Sequence, residues 1–191
     1  VTPEGVIPYG EDSVEINFQT KDANQVLVNG ERNPSVKLGT HIIKERLFKD
    51  TTFVVKAINI KKMVEKSVTI EVGDWTTSTF GLVSYYPWRY KAFRIFSLEG
   101  EVLYFWIPDP EMLSWVFYFH KDGLTTFSNH PEVFSSWSLL DDNTIVRNGT
   151  AMKLEVSQYE MIVSYQTTYN GELVWFDMIH EHASDTPTDP D

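Results

Sequence analysis

The chain has no cysteine among its 191 residues, which excludes disulfide staples, thiolate metal sites and a cysteine nucleophile. No apolar run approaches the ~20 residues a helix needs to cross a bilayer. Basic side chains are scarce, 16 Lys and Arg against 27 Asp and Glu, for a net charge of −11. Nucleic acid and anionic membrane both reward clustered cations, so this balance argues against either as a partner. Only five histidines occur. The sequence contains no G-x-S-x-G elbow, no phosphate-cradling glycine loop, no dinucleotide fingerprint and no H-E-x-x-H pair. No window sustains helical periodicity. Together these absences argue against an enzyme and give no reason to expect a cofactor.

What is present is distributed unevenly. Residues 1–73 carry ten basic and ten acidic side chains, while residues 74–191 carry six and seventeen, and so the whole net charge. Of 27 aromatic residues, only Tyr9, Phe18, Phe48 and Phe53 precede residue 74; all six tryptophans follow it. Two stretches so different in charge and in core-forming residues are unlike parts of one core. Two domains are expected, at 1–73 and 82–182, joined by an extended linker at 74–81 and followed by a disordered tail at 183–191.

Both parts read as β-structure. Val14, Ile16 and Phe18 alternate with polar residues, as do Val68, Ile70 and Val72, and Thr52 to Asn59 is β-branched and apolar. Asn29-Gly30 is a dipeptide that accepts the positive φ angles of a tight hairpin. Turn residues every 8–12 positions give the rhythm of a β-sandwich. In the second part the strand candidates are 88–96, 102–107, 115–120, 134–140, 152–156, 161–168 and 173–180. Asp109-Pro110 has the form of a cap and first residue of a short helical turn. Strands joined by tight turns form a meander, and at ~8 strands a meander tends to close into a barrel.

The order Tyr9-Gly10-Glu11-Asp12-Ser13-Val14, Asn24-Gln25-Val26-Leu27-Val28-Asn29-Gly30, Lys49-Asp50-Thr51-Thr52-Phe53 and Ser67-Val68-Thr69-Ile70-Glu71-Val72 resembles the immunoglobulin-like modules of bacterial surface lipoproteins. Trp88 with its following strand, Tyr118-Phe119-His120-Lys121-Asp122-Gly123 and Ser136-Trp137-Ser138-Leu139-Leu140-Asp141-Asp142-Asn143 resemble the lipocalin-like domains of the same lipoproteins. The chain departs from that pattern at Tyr86, where the family carries Gly two positions before the first Trp. The resemblance implies an all-β chain, an immunoglobulin-like β-sandwich followed by an antiparallel lipocalin-like barrel. It further implies an exported protein at the bacterial surface or in the periplasm, lipid-anchored to the outer membrane. With Val1 as its first residue, the chain fits the removal of an upstream signal segment, an N-terminal lipid anchor being its tie to a membrane.

Candidate sites follow from what a one-sided core leaves over. Trp115, Phe117 and Phe119 share one face, and Tyr118 lies opposite them; Trp175 lies opposite Phe176. The surplus rings of Trp175, Tyr118, Trp88, Trp106 and Tyr86 are expected to cover something, either a domain interface or a glycan or protein partner. An alternative is a carrier of a small apolar ligand, its lumen lined by Phe117, Phe119, Phe176 and Met178; under either reading the chain is expected to be a monomer. A third reading, a hydrolase, needs two or more of His120, His180, His182, Asp177 and Glu181 to converge in a cleft. His180 and His182 have the two-residue spacing that puts two imidazoles on one face of a strand, with His120 a conceivable third ligand, although a strand end turning polar explains them as well. No metal is therefore assigned. The carboxylate pairs Glu99/Glu101, Asp109/Glu111 and Asp141/Asp142 lie in turns, where capping of backbone N–H groups accounts for them.

Overall fold

A computed structural model describes residues 5–11 and 13–189. Asp12 of the first resemblance motif, residues 1–4 and residues 190–191 lie outside the described residues. The protein is all-β, 57% strand and 7% helix, as expected. It divides into two compact units, Val1–Ser78 and Thr79–Asp191.

The first unit contains two antiparallel sheets. Strands β1 (Val14–Gln19) and β4 (Leu38–Ile43) form one. The other has the order β3-β2-β5-β6, from β2 (Gln25–Val28), β3 (Glu31–Asn33), β5 (Thr51–Ile58) and β6 (Met63–Ile70). Alternation gives each strand one apolar face, and these faces meet in a core of Ile7, Val14, Ile16, Val28, Ile43, Leu47, Phe53 and Ile70. The arrangement is sandwich-like, with Val14 and Ile16 of β1 opposite Phe53 and Ile70 of the larger sheet. Asn29 (φ 49°) and Gly30 (φ 90°) make the two-residue turn between β2 and β3, as their identity predicts.

Residues 74–81 depart from the extended linker expected of them. Asp74 caps a 3-10 turn at Trp75–Thr77, its carboxylate accepting from the Thr76 amide at 3.0 Å. The helix α1 (Thr79–Ser84) then buries Phe80, Gly81, Val83 and Ser84. Within the Ser/Thr cluster that reads as a linker, the Thr77 hydroxyl donates back to Asp74 O, and at the end of α1 the Ser84 hydroxyl donates back to Phe80 O.

The second unit is a closed antiparallel barrel of eight strands. They are β7 (Trp88–Phe96), β9 (Val116–Phe119), β10 (Leu124–Phe127), β11 (His130–Asp141), β12 (Thr144–Arg147), β13 (Thr150–Val156), β14 (Glu160–Tyr169) and β15 (Glu172–His182). Each pairs with the next, and β15 closes the ring on β7 from Trp175–Phe96 to His182–Trp88. The ninth strand, β8 (Val102–Trp106), pairs with the second half of β7 and ends the sheet, and among the described residues no strand pairs with its other edge. Asn148-Gly149 and Asn170-Gly171, all at positive φ, close the β12–β13 and β14–β15 hairpins. Between β8 and β9, Asp109 caps the helical turn α2 (Pro110–Leu113) as its sequence suggests, accepting from Met112 N at 2.9 Å.

Thr188 and Asp189 are also tied down, where a disordered tail over 183–191 is expected. The Thr188 amide donates to Tyr85 O, and the Asp189 carboxylate accepts from the Lys121 amide and from His120 Nδ1, each at 2.8 Å. A polar, proline-bearing segment reads as disordered until its partners are known. Here a single carboxylate meets two donors on one turn of the barrel.

Candidate functional site

Strand alternation around a closed barrel sorts side chains into a lumen and an exterior. The lumen is a column of rings. Phe117 and Phe119 are buried, and Phe117 is met by Tyr90 (centroids 4.7 Å apart), Phe127 (5.1 Å) and His180 (5.6 Å). Further along, Phe93 and Trp106 lie 5.2 Å apart, and Phe176 is 5.5 Å from Phe93 and 5.2 Å from Tyr165. Of the residues expected to line a lumen, Phe117, Phe119, Phe176 and Met178 thus share the inward parity, with Phe176 and Met178 half-buried.

Polar groups are embedded in this column. His180 is wholly buried; its Nδ1 donates to Met161 O at 3.2 Å, and its Nε2 has no hydrogen-bond partner. Burial pushes its pKa down to about 3, so the imidazole is neutral. Arg147, at the end of β12, turns its guanidinium over the rings of Phe117 (5.6 Å) and Phe119 (5.5 Å). The hydroxyls of Thr125 and Ser135, cross-strand partners on β10 and β11, are buried without hydrogen-bond partners.

The five aromatic residues singled out from the sequence do not form one surface. Trp88 is fully buried, with its Nε1 donating to Val83 O at 2.9 Å, and this removes it from any exterior site. It faces inward because β7 begins there and α1 packs beneath it. Trp106 is half-buried and turned toward Phe93, and Tyr86 packs on Tyr85 and His182, both 4.9 Å away. Tyr118 is half-buried and stacks beside His120, 6.3 Å away, on the face opposite Phe117. Trp175 is half-buried on the exterior and stacks on Phe96 at 6.5 Å.

The exposed apolar surface lies next to Trp175. Leu98, Val102, Leu103, Tyr104, Phe105 and Ile107 are each 42–67% exposed. Registers place Trp175, Phe96 and Val102 in one exterior row, with Phe105 opposite Arg94 in the next. The sequence shows this run as an aromatic cluster. What it does not show is that β8 ends the sheet and that its side chains stay exposed among the described residues.

The candidate acid–base residues are dispersed. Asp177 is buried on the exterior face, accepting from Arg94 Nε (2.8 Å), from Arg94 NH2 and from the Ser164 hydroxyl (2.7 Å). Glu181 accepts from Arg89, and His120 is engaged by Asp189 and Thr126. His180 and His182 share the inward face, but the His182 ring lies against Trp88, 4.5 Å away, and burial lowers its pKa. Among the described residues no group of three His, Asp or Glu is placed to hold a metal. In the first unit, a groove of about 490 Å³ runs between β1 and β5–β6, with apolar walls such as Phe18 and Val55 and the exposed Lys21 at its rim. It gathers no buried polar groups.

A scan against protein-family models and a search of curated proteins both return no match to this chain.

Proposed function

We propose that the barrel unit is a non-catalytic recognition module that binds an extended segment of a protein partner along β8 and the exterior row beside it. The open edge of β8, flanked by exposed Val102, Leu103 and Phe105, carries this reading. An unpaired, apolar strand edge is what native proteins ordinarily blunt with charge, proline or a covering element. Left open, it offers backbone hydrogen bonds to an added strand, and the exterior rings offer pockets for alternate side chains. A protein segment fits better than a glycan, because aliphatic Val102, Leu103 and Ile107 interleave with the rings, whereas sugars are held by ring faces beside polar acceptors. The excess acid of residues 74–191 favours a partner with basic residues around its apolar ones.

The dispersal of His120, Asp177, His180, Glu181 and His182 supports a module without catalysis. Within this reading the first unit is an immunoglobulin-like spacer, supported by its sandwich-like sheets and motif order. The protein is exported and held at the bacterial surface by a lipid anchor, as the resemblance implies.

The test is selection of linear peptides from a displayed random library on the wild-type protein, with counter-screening on Val102→Lys/Phe105→Lys. Selected peptides should alternate apolar and basic residues, and should bind the double variant at least about tenfold more weakly. Peptides that ignore the double variant would contradict the reading. Glycan binding that depends on Trp175, shown by its loss in Trp175→Ala on a glycan array, would replace it.

A further inference from the structure

Residues 1–73 are neutral as a whole, but their fold draws the charges apart. The turn between β5 and β6, the loop after β1 and the segment entering β4 meet at one end of the sandwich. Asn24 N donates to Ile58 O at 2.8 Å, and the Asn59 side-chain amide donates to Asp22 O at 3.2 Å. Thr20 N donates to Lys37 O at 2.7 Å. These segments and the first half of β6 carry Lys21, Lys37, Lys61, Lys62 and Lys66, half of the ten basic side chains of residues 1–73. Asp22 is the one free acid beside them, because Glu65 is already paired with Lys56 at 3.0 Å. All five lysines are exposed, and among the described residues none meets a carboxylate.

Apolar side chains project from the same end. Ile60, at the tip of the β5–β6 turn, is 97% exposed; Met63 follows at 58%, and Leu38, next to Lys37, at 72%. Hydrogen bonds fix the turn that carries Ile60. Asn59 Oδ1 accepts from Lys61 N at 2.9 Å and from Lys62 N at 2.8 Å, and Asn59 N donates to Lys62 O at 2.9 Å. The turn therefore holds Ile60 away from the core, leaving apolar surface in water that a partner would cover.

We propose that this end of the first unit docks on an anionic lipid surface. Ile60 and Met63 enter the headgroup layer, and the five lysines lie against the lipid charges. The scarcity of cations in the whole chain argues against such a surface, but the fold gathers half of the first unit's cations in one place. At physiological salt the Debye length is about 8 Å, so charges close to the contact govern docking rather than the net charge of −11. The shape favours lipid over a macromolecule. A protein partner is held where apolar side chains enter pockets, whereas Ile60 stands at a turn tip with almost no surface around it. A fluid interface needs no pocket: it takes protruding apolar side chains, with lysines at headgroup level. No Trp, Tyr or Phe lies in these segments to stack on nucleic-acid bases. The surface belongs to the first unit and does not rest on the reading of β8.

Sedimentation of the full chain with vesicles tests the proposal, comparing equal parts phosphatidylglycerol and phosphatidylcholine with phosphatidylcholine alone. The mixed vesicles should bind at least about tenfold more tightly, and binding should fall steeply as salt rises from about 0.05 to about 0.5 M. Lys61→Gln/Lys62→Gln should weaken binding at least about tenfold, and Ile60→Ser at least about fivefold. Lys44→Gln/Lys49→Gln, at the other end of the sandwich, should leave it unchanged. All these side chains are exposed, so the variants should keep the wild-type circular dichroism spectrum. Equal binding to both vesicle types, or an equal loss in the Lys44/Lys49 variant, would overturn the proposal. So would mixed-vesicle binding that Ile60→Ser leaves intact; if poly-L-glutamate then binds the chain as tightly, this end faces an acidic protein instead.

Discussion

At the scale of single residues, the barrel separates two ways of placing polar groups in apolar surroundings. Asp177 is buried with every near donor turned toward it, so that Arg94 and Ser164 satisfy both its oxygens. His180 is buried with one nitrogen satisfied and the other open. Its imidazole is held neutral down to a pKa of about 3, first by desolvation. The unfolded chain protonates the same group near 6.5. Above that pH both states are neutral and His180 makes stability independent of pH. As pH falls from about 6.5 toward 3, only the unfolded state takes the proton, and stability drops by up to about 1.4 kcal/mol per pH unit from this residue. Urea unfolding of the barrel at pH 7.0, 5.5 and 4.5 should show this loss in the wild type and a shallower one in His180→Gln. Parallel pH profiles would contradict the burial of a neutral imidazole. The pairing of His180 and His182 on one face was legible from their spacing, but their separate surroundings were not. Those depend on Met161 and Trp88, which the chain brings in from strands 19 and 94 residues away in sequence.

At the scale of elements, periodicity located most strands of the barrel and missed Leu38–Ile43 in the first unit and two four-residue strands in the second. Trp88–Phe96 and Glu160–Tyr169 carry enough alternation to be read directly, and Asn-Gly pairs fixed three hairpins. Leu124–Phe127 and Thr144–Arg147 span four residues each, too few for a period to stand out between flanking turns. Missing the second of these concealed that Arg147 points into the lumen. The segment 74–81 reads as a linker because Ser and Thr favour loops, yet the same residues fold into a turn capped by Asp74 and the start of α1, which buries Phe80 and Val83. The tail shows a similar dependence on partners. Asp189→Ala removes the acceptor for the Lys121 amide and His120, so it should free residues 183–189 while the barrel keeps its fold. Hydrogen exchange should then show faster exchange at the Lys121 and Thr188 amides and unchanged protection in β14 and β15. Unchanged rates at Lys121 and Thr188 would show that the clip does not hold the tail.

At the scale of the whole molecule, the division of charge and rings between the two parts of the sequence corresponds to two different ways of building a β core. The first unit packs aliphatic faces of two sheets with few rings. The second closes a ring of strands around aromatic side chains, and among the described residues barrel closure leaves the appended β8 as the strand paired on one side alone. That one remaining edge is where the exposed apolar residues gather, and the sequence could not reveal it, because openness of an edge depends on which strand the chain fails to place beside it. Amide hydrogen exchange across β8, with and without a peptide selected on the wild-type surface, tests the recognition account most directly. Added protection at alternate amides of Val102–Trp106, and little change in β12 and β13, is the predicted result. Protection that leaves β8 unchanged and appears elsewhere would contradict it.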